Sequence, residues 1–200
     1  MVDIPAVITL AKDAASIVFY AVAATVAIVG LRSWRREHLG KAHYDIAKPI
    51  LTLVYKIRER VNEQRSRFSM ESVWPQMEDV ADPQQRNLQA IRINHGRVQA
   101  EVYALFSELQ PLLLEADVVI GNHKIRESAK AIEGCYSGLH SAVEDYIGSL
   151  YATNADRDSL RALKRIVYRK GNPLGQDKFE NDFQATIKAA EDILSPFLRK

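Results

Sequence analysis

Residues 112–132 read LLLEADVVIGNHKIRESAKAI, and the Gly121-Asn122 pair at the centre separates two runs built on one spacing. Upstream, Leu88, Ile91, His95, Val98, Val102, Leu105, Leu109, Leu112 and Ala116 recur in alternating steps of three and four, the signature of a helix with an apolar stripe. Downstream, Ile125, Ala129, Ile132, Tyr136, Leu139, Val143, Tyr146 and Leu150 continue it. Glycine and asparagine tolerate the left-handed backbone at which helices commonly end. The spacing therefore predicts a long antiparallel helical hairpin over about 84–152, turning at Gly121.

Two further stripes flank the hairpin. Ala47, Ile50, Val54, Ile57 and Val61 mark a helix that Pro49 is expected to start or kink. Phe179, Phe183, Ile187, Ala190, Leu194 and Phe197 mark a closing helix, with Pro196 in its last turn. Between Asp156 and Lys170, Leu160, Leu163 and Val167 share one face of a short helix. Pro75 and Pro83 within 68–83, and Gly171-Asn172-Pro173-Leu174-Gly175, read as connections, with Asp82 as an N-cap and Pro83 at the first helical position. Four long apolar stripes are buried most economically in an all-α, antiparallel four-helix-bundle-like or coiled-coil domain. No solenoid repeat or low-complexity tract interrupts the chain.

The segment Ala14–Leu31, AASIVFYAVAATVAIVGL, carries no charge. It approaches the length that an α-helix needs to cross a bilayer, and the apolar stretch Ile4 to Leu10 allows a longer, tilted span. Arg32, Trp34, Arg35, Arg36 and Lys41 follow, the residue types that anchor a span at the membrane interface. The excess of Lys and Arg on that side points it to the cytoplasm. Residues 1–33 thus read as an anchor, with the span at about 14–31, and residues 34–200 as a cytosolic helical domain. The bilayer is the first expected partner. Cleavage at Ala21-Val22-Ala23 is disfavoured, since this A-x-A pattern lies inside the apolar run and no basic region precedes it. A buried helix of a soluble protein is the other alternative, but a helix apolar on all sides needs protein on every side. Ser16, Ala23, Ala27 and Gly30 place small side chains along the span, which favours self-association.

Charge is distributed in blocks. Residues 32–67 hold 10 Lys/Arg against 4 Asp/Glu, residues 157–170 hold 6 against 1, and residues 71–156 hold 6 against 13, within a chain of net charge +2. The first block suits an anionic leaflet. In the second, Arg161, Lys164, Arg165, Arg169 and Lys170 form a candidate patch for an acidic partner. Nucleic acid is not favoured, as no recognised binding motif accompanies it. A solvated face pairing with the acidic hairpin is the favoured reading of that patch.

Catalytic signals are weak. His38, His43, His95, His123 and His140 show no H-E-x-x-H and no Cys/His spacing of a zinc site, so neither metal nor cofactor is expected. His95 stands at a heptad core position, where a polar side chain can fix register. Lone Cys135 excludes an internal disulfide and agrees with a reducing compartment. No Walker A loop, G-x-S-x-G or dinucleotide fingerprint is present. Small all-α ribonucleases of the HEPN type pair an Arg with a His a few residues on, a pattern that Arg36 and His43 match loosely.

Trp34-Arg35-Arg36, Gly40-Lys41, Tyr44-Asp45-x-Ala47-Lys48 and the closing helix with Pro196-Phe197 resemble a scattered group of uncharacterised bacterial single-pass membrane proteins with a cytosolic helical region. The resemblance covers most of the chain. It implies the bacterial inner membrane and one N-terminal transmembrane helix, and it carries no catalytic residue. The expected function is a membrane-tethered helical interaction module, a scaffold or adaptor without catalysis that binds a protein partner or itself. The alternative is an oligomeric, membrane-acting effector of stress or phage defence.

Overall fold

The computed structural model describes residues 4–66, 82–151, 156–168 and 177–198, with side chains from Val18 onward apart from Gln84. The described residues form no strand and five helices: α1 (Ile4–Gln64), α2 (Pro83–Val119), α3 (His123–Tyr151), α4 (Arg157–Val167) and α5 (Lys178–Leu198). The chain divides into two compact units, Met1–Ala42 and His43–Lys200.

In the first unit the apolar run is uncovered. Val18, Phe19, Tyr20, Val22, Val26, Ile28, Val29 and Leu31 are each 55% to 70% exposed. An 18-residue window of α1 reaches a mean hydropathy of 1.2 with none of it buried, so α1 is long and apolar enough to span a membrane. Thr25 satisfies its hydroxyl locally by donating to the Ala21 carbonyl at 2.8 Å, as a hydroxyl in a helix can without leaving the helix surface.

In the second unit, α1 continues as one wall of a core. Ala47, Ile50, Val54, Ile57 and Val61 are at most 1% exposed, and Ile46 and Leu53 join them. Pro49 does not start a helix, because α1 runs through it from Ile4 to Gln64. Proline removes one backbone hydrogen bond, and the buried stripe on both sides of it outweighs that loss.

Side-chain pairs fix the helix directions within this unit. His43 sets its ring edge on Phe197, Arg58 pairs with Glu191 and Arg65 pairs with Glu180, so α5 runs antiparallel to α1. Gln64 meets His95 and Arg60 meets Glu101, so α2 is antiparallel to α1 as well. His95 with His140 and Tyr103 with Tyr136 establish the same relation for α2 and α3. Tyr146 packs edge-on against Tyr168, just past α4.

The buried stripes are wider than a heptad seam. Of the heptad positions Leu105, Leu112 and Leu150 are only half-buried, while α2 also buries Ala90, Asn94, Phe106 and Leu113, and α3 also buries Ser128, Ala142 and Ile147. A helix that faces two neighbours needs this broader apolar arc. Tyr136 is fully buried, its hydroxyl has no hydrogen-bond partner among the described residues, and burial pushes its pKa up.

The turns follow local chemistry. Gly121 takes φ +69°, the left-handed conformation that glycine reaches without Cβ strain, and its N–H donates to the Ala116 carbonyl at 3.2 Å. Asn122 caps α3 by accepting from the Lys124 N–H at 3.1 Å. Asp117 then pairs with Arg126 across the turn. The Asp82 carbonyl accepts from the Arg86 N–H, with Pro83 as the first residue of α2. Asp156 caps α4 through Ser159 and Asp158, bonds that hold its carboxyl below the ordinary range. Leu160 and Leu163 pack half-buried on the core and Val167 is buried. Most of the expected 68–83 connection and all of 171–175 lie outside the described residues.

Candidate functional site

The densest polar group inside the second unit lies where α1 ends against α2 and α3. His95 is 3% exposed and its ring stacks on that of His140, with centroids 5.0 Å apart and planes at 15°. His95 Nε2 lies 2.9 Å from His140 Nδ1 and 3.6 Å from Glu144 Oε1. On the outer side, the Gln64 amide nitrogen reaches His95 Nδ1 at 2.5 Å and the Gln99 amide nitrogen reaches His140 Nε2 at 3.3 Å.

Burial pushes His95 down to about 4, and the neighbouring His140 acts in the same direction against the opposing pull of Glu144. His95 is therefore a neutral imidazole at neutral pH, holding a lone pair on one nitrogen and a proton on the other. The donor atoms of His95, His140 and Glu144 all lie within 4.8 Å of one another, so this group can hold a cation. His140 and Glu144 stand one helical turn apart on α3, which puts both on one face.

A second polar centre joins three helix ends. Arg65, fully buried, donates from Nε to the Ile166 carbonyl at 2.9 Å and from Nη2 to the Arg165 carbonyl at 3.5 Å, in the last turn of α4. It pairs with Asp177 at 2.6 Å and Glu180 at 2.8 Å, and lies 4.6 Å from the Phe179 ring centroid. Asp177 also accepts from the Glu180 N–H at 3.1 Å, capping α5. One guanidinium thus occupies the free carbonyls of α4 and the acidic first turn of α5. It positions the fold and leaves no open face for chemistry.

Beside these centres, Arg60, Glu63, Arg97 and Glu101 close a ring of ion pairs between α1 and α2. An open groove of about 470 Å³ between the same helices is lined by Pro49, Pro111, Lys48, Lys56 and Glu108. It brings together no converging catalytic set.

The residues singled out from sequence fall in separate places. Arg32, Trp34, Arg35, Arg36 and Lys41 are exposed on α1, Trp34 with its ring edge on His38. Ala23, Ala27 and Gly30 are exposed on the same stretch, while the Ser16 side chain lies outside the described residues. His43, the proposed partner of Arg36 in a ribonuclease pair, is half-buried against Phe197. Arg161, Lys164 and Arg165 are exposed on α4, and Arg161 pairs with Asp158 of its own helix. Arg169 and Lys170 lie outside the described residues. Cys135 is half-buried against the core.

Sequence reading picked out His95 but neither its partner His140 nor Glu144. The available signal was the His-x-x-x-Glu spacing on one helix face, which a search for zinc motifs passes over. Compared with protein-family models, curated proteins and solved structures, the chain matches none of them.

Proposed function

We propose that the protein is a membrane-tethered helical interaction module, a single-pass anchor at about 14–31 carrying a four-helix-bundle-like domain that holds a partner at the cytoplasmic face. The observation that carries this reading is the uncovered apolar surface of Val18–Leu31. An apolar helix surface of this extent is stable in lipid, where every backbone group is satisfied within the helix. Arg32, Arg35, Arg36 and Lys41, exposed directly after it, favour an anionic cytoplasmic leaflet.

On this reading the domain acts as a holder. Its long helices offer exposed polar faces, and Arg161, Lys164 and Arg165 on α4 suit an acidic protein surface. The bacterial inner membrane is the proposed location.

The test is carbonate extraction of membranes from cells expressing the full chain, followed by affinity purification in detergent and native mass measurement. The module reading predicts that the chain stays with the membrane and elutes with a stoichiometric partner. Release by carbonate as a soluble monomer contradicts it. A large homo-oligomer that makes the membrane leak favours the effector alternative instead.

A further inference from the structure

We propose that His95, His140 and Glu144 form a binding site for a first-row divalent transition-metal ion, zinc foremost, that ties α2 to α3. Donor atoms around a tetrahedral zinc stand about 3.3 Å apart when its bonds are about 2.0 to 2.1 Å long. The distances in the cluster, 2.9 Å between the two imidazole nitrogens and 3.6 Å from His95 Nε2 to the carboxylate, bracket that spacing. The remaining pair, His140 and Glu144, lies within 4.8 Å, and rotation of the exposed Glu144 side chain brings its carboxylate in to close the set around an ion.

The outer shell is an independent indication. Histidines that bind metal almost always donate their second ring N–H to an oxygen acceptor, which fixes the tautomer. Here the second nitrogen of each histidine faces a glutamine amide, Gln64 on α1 and Gln99 on α2. Gln64 is 96% buried, and its Oε1 has no hydrogen-bond partner among the described residues. Half a turn of each amide presents its oxygen to the ring N–H, since the two ends of the group are nearly equal in shape. His95 then donates from Nδ1 to Gln64, His140 donates from Nε2 to Gln99, and both inner nitrogens carry free lone pairs.

In the metal-free protein one proton lies between His95 Nε2 and His140 Nδ1. On metal binding it moves to the outer nitrogen of its own ring, and the ion binds to the lone pairs of the two inner nitrogens. The transfer is from one nitrogen to the other of the same ring, so no net proton is lost. Two imidazoles with one carboxylate suit zinc, cobalt, nickel or iron(II), whereas calcium and magnesium require a shell of oxygens. Glu144 is 58% exposed, so the ion enters from its side and keeps a coordination position for water there.

The site does not depend on the membrane reading. A chain that failed to partition into lipid would still bind metal through these residues. The experiment uses the full chain without a histidine tag, purified in detergent with a chelator, dialysed and titrated with Co²⁺. Expected are one Co²⁺ per chain, the visible absorption of a four-coordinate ion, its displacement by Zn²⁺, and a higher unfolding midpoint with Zn²⁺. Glu144→Gln alters an exposed side chain and keeps the fold. It should weaken affinity about tenfold or more, since even outer-shell losses reach that size. His140→Gln should abolish the absorption. Absence of both absorption and thermal shift overturns the proposal, as does wild-type affinity in both variants.

Discussion

The two halves of α1 are both rich in valine, isoleucine and alanine, yet they meet opposite surroundings. Val22, Val26 and Val29 are 58% to 66% exposed, while Ile50, Val54 and Ile57 are at most 1% exposed. The difference lies in angular distribution. Around Val26 no side of the helix carries a charge, whereas Lys56, Arg58 and Glu59 interrupt the sequence beside Ile57 and leave one apolar stripe. A stripe is covered by neighbouring helices, and an all-round apolar surface calls for lipid.

The largest expected effect breaks the first half alone. Val22→Lys with Val26→Lys should disfavour insertion by about 5–7 kcal/mol on a translocon scale. Carbonate extraction should find the variant in the soluble fraction, with the unfolding midpoint of the helical domain unchanged.

An arginine of the first half and the arginine directly after α1 differ as sharply. Arg36 is exposed, whereas Arg65 is fully buried between Asp177 and Glu180. Arg65→Ala leaves two carboxylates and two carbonyls without their partner and should cost about 3–5 kcal/mol in denaturant unfolding. Arg65→Lys should recover only part of that, because an ammonium cannot match the guanidinium fork. Arg36→Ala should leave domain stability unchanged.

A matched truncation sharpens the contrast. Ile57→Ala removes packed methyl groups from the core and should destabilise by about 2–5 kcal/mol. Val26→Ala should leave the thermal midpoint in detergent where it was. Equal effects at the two positions would mean that both stretches are covered by protein.

The smallest effect concerns the ion-pair ring at the end of α1. Arg97, and after it Arg60, holds the Glu63 carboxyl below the ordinary carboxylate value. A depressed carboxyl contributes stability above the unfolded-state pKa and loses it as pH falls through the folded value. The pairs are partly exposed, so the contribution is under about 1 kcal/mol. Unfolding of Glu63→Gln should show correspondingly less loss between neutral and acid pH than the wild type.

Legibility in the sequence followed the range of the interactions involved. The stripes of α2 and α3 repeat over many turns, and Gly121-Asn122 states its own backbone geometry, so the hairpin could be placed from spacing alone. The caps at Asp156 and Asp82 are equally local. Arg65 carries no local mark of burial, because its acidic partners lie 112 and 115 residues further on. His95 and His140 are 45 residues apart and meet only once α2 and α3 pair. Of the two roles expected of Pro49, starting a helix yields to the core packed around α1, which carries the helix through it.

The most direct test of the contrast within α1 is lipid contact at Val26. A single tryptophan, introduced as Val26→Trp with Trp34→Phe and Trp74→Phe, is reconstituted in vesicles whose acyl chains are brominated near the bilayer centre. Strong quenching by the brominated lipid, with little quenching by aqueous iodide, is expected if Val26 faces the acyl chains. Fluorescence unaffected by the brominated lipid would contradict it and assign that surface to protein or water.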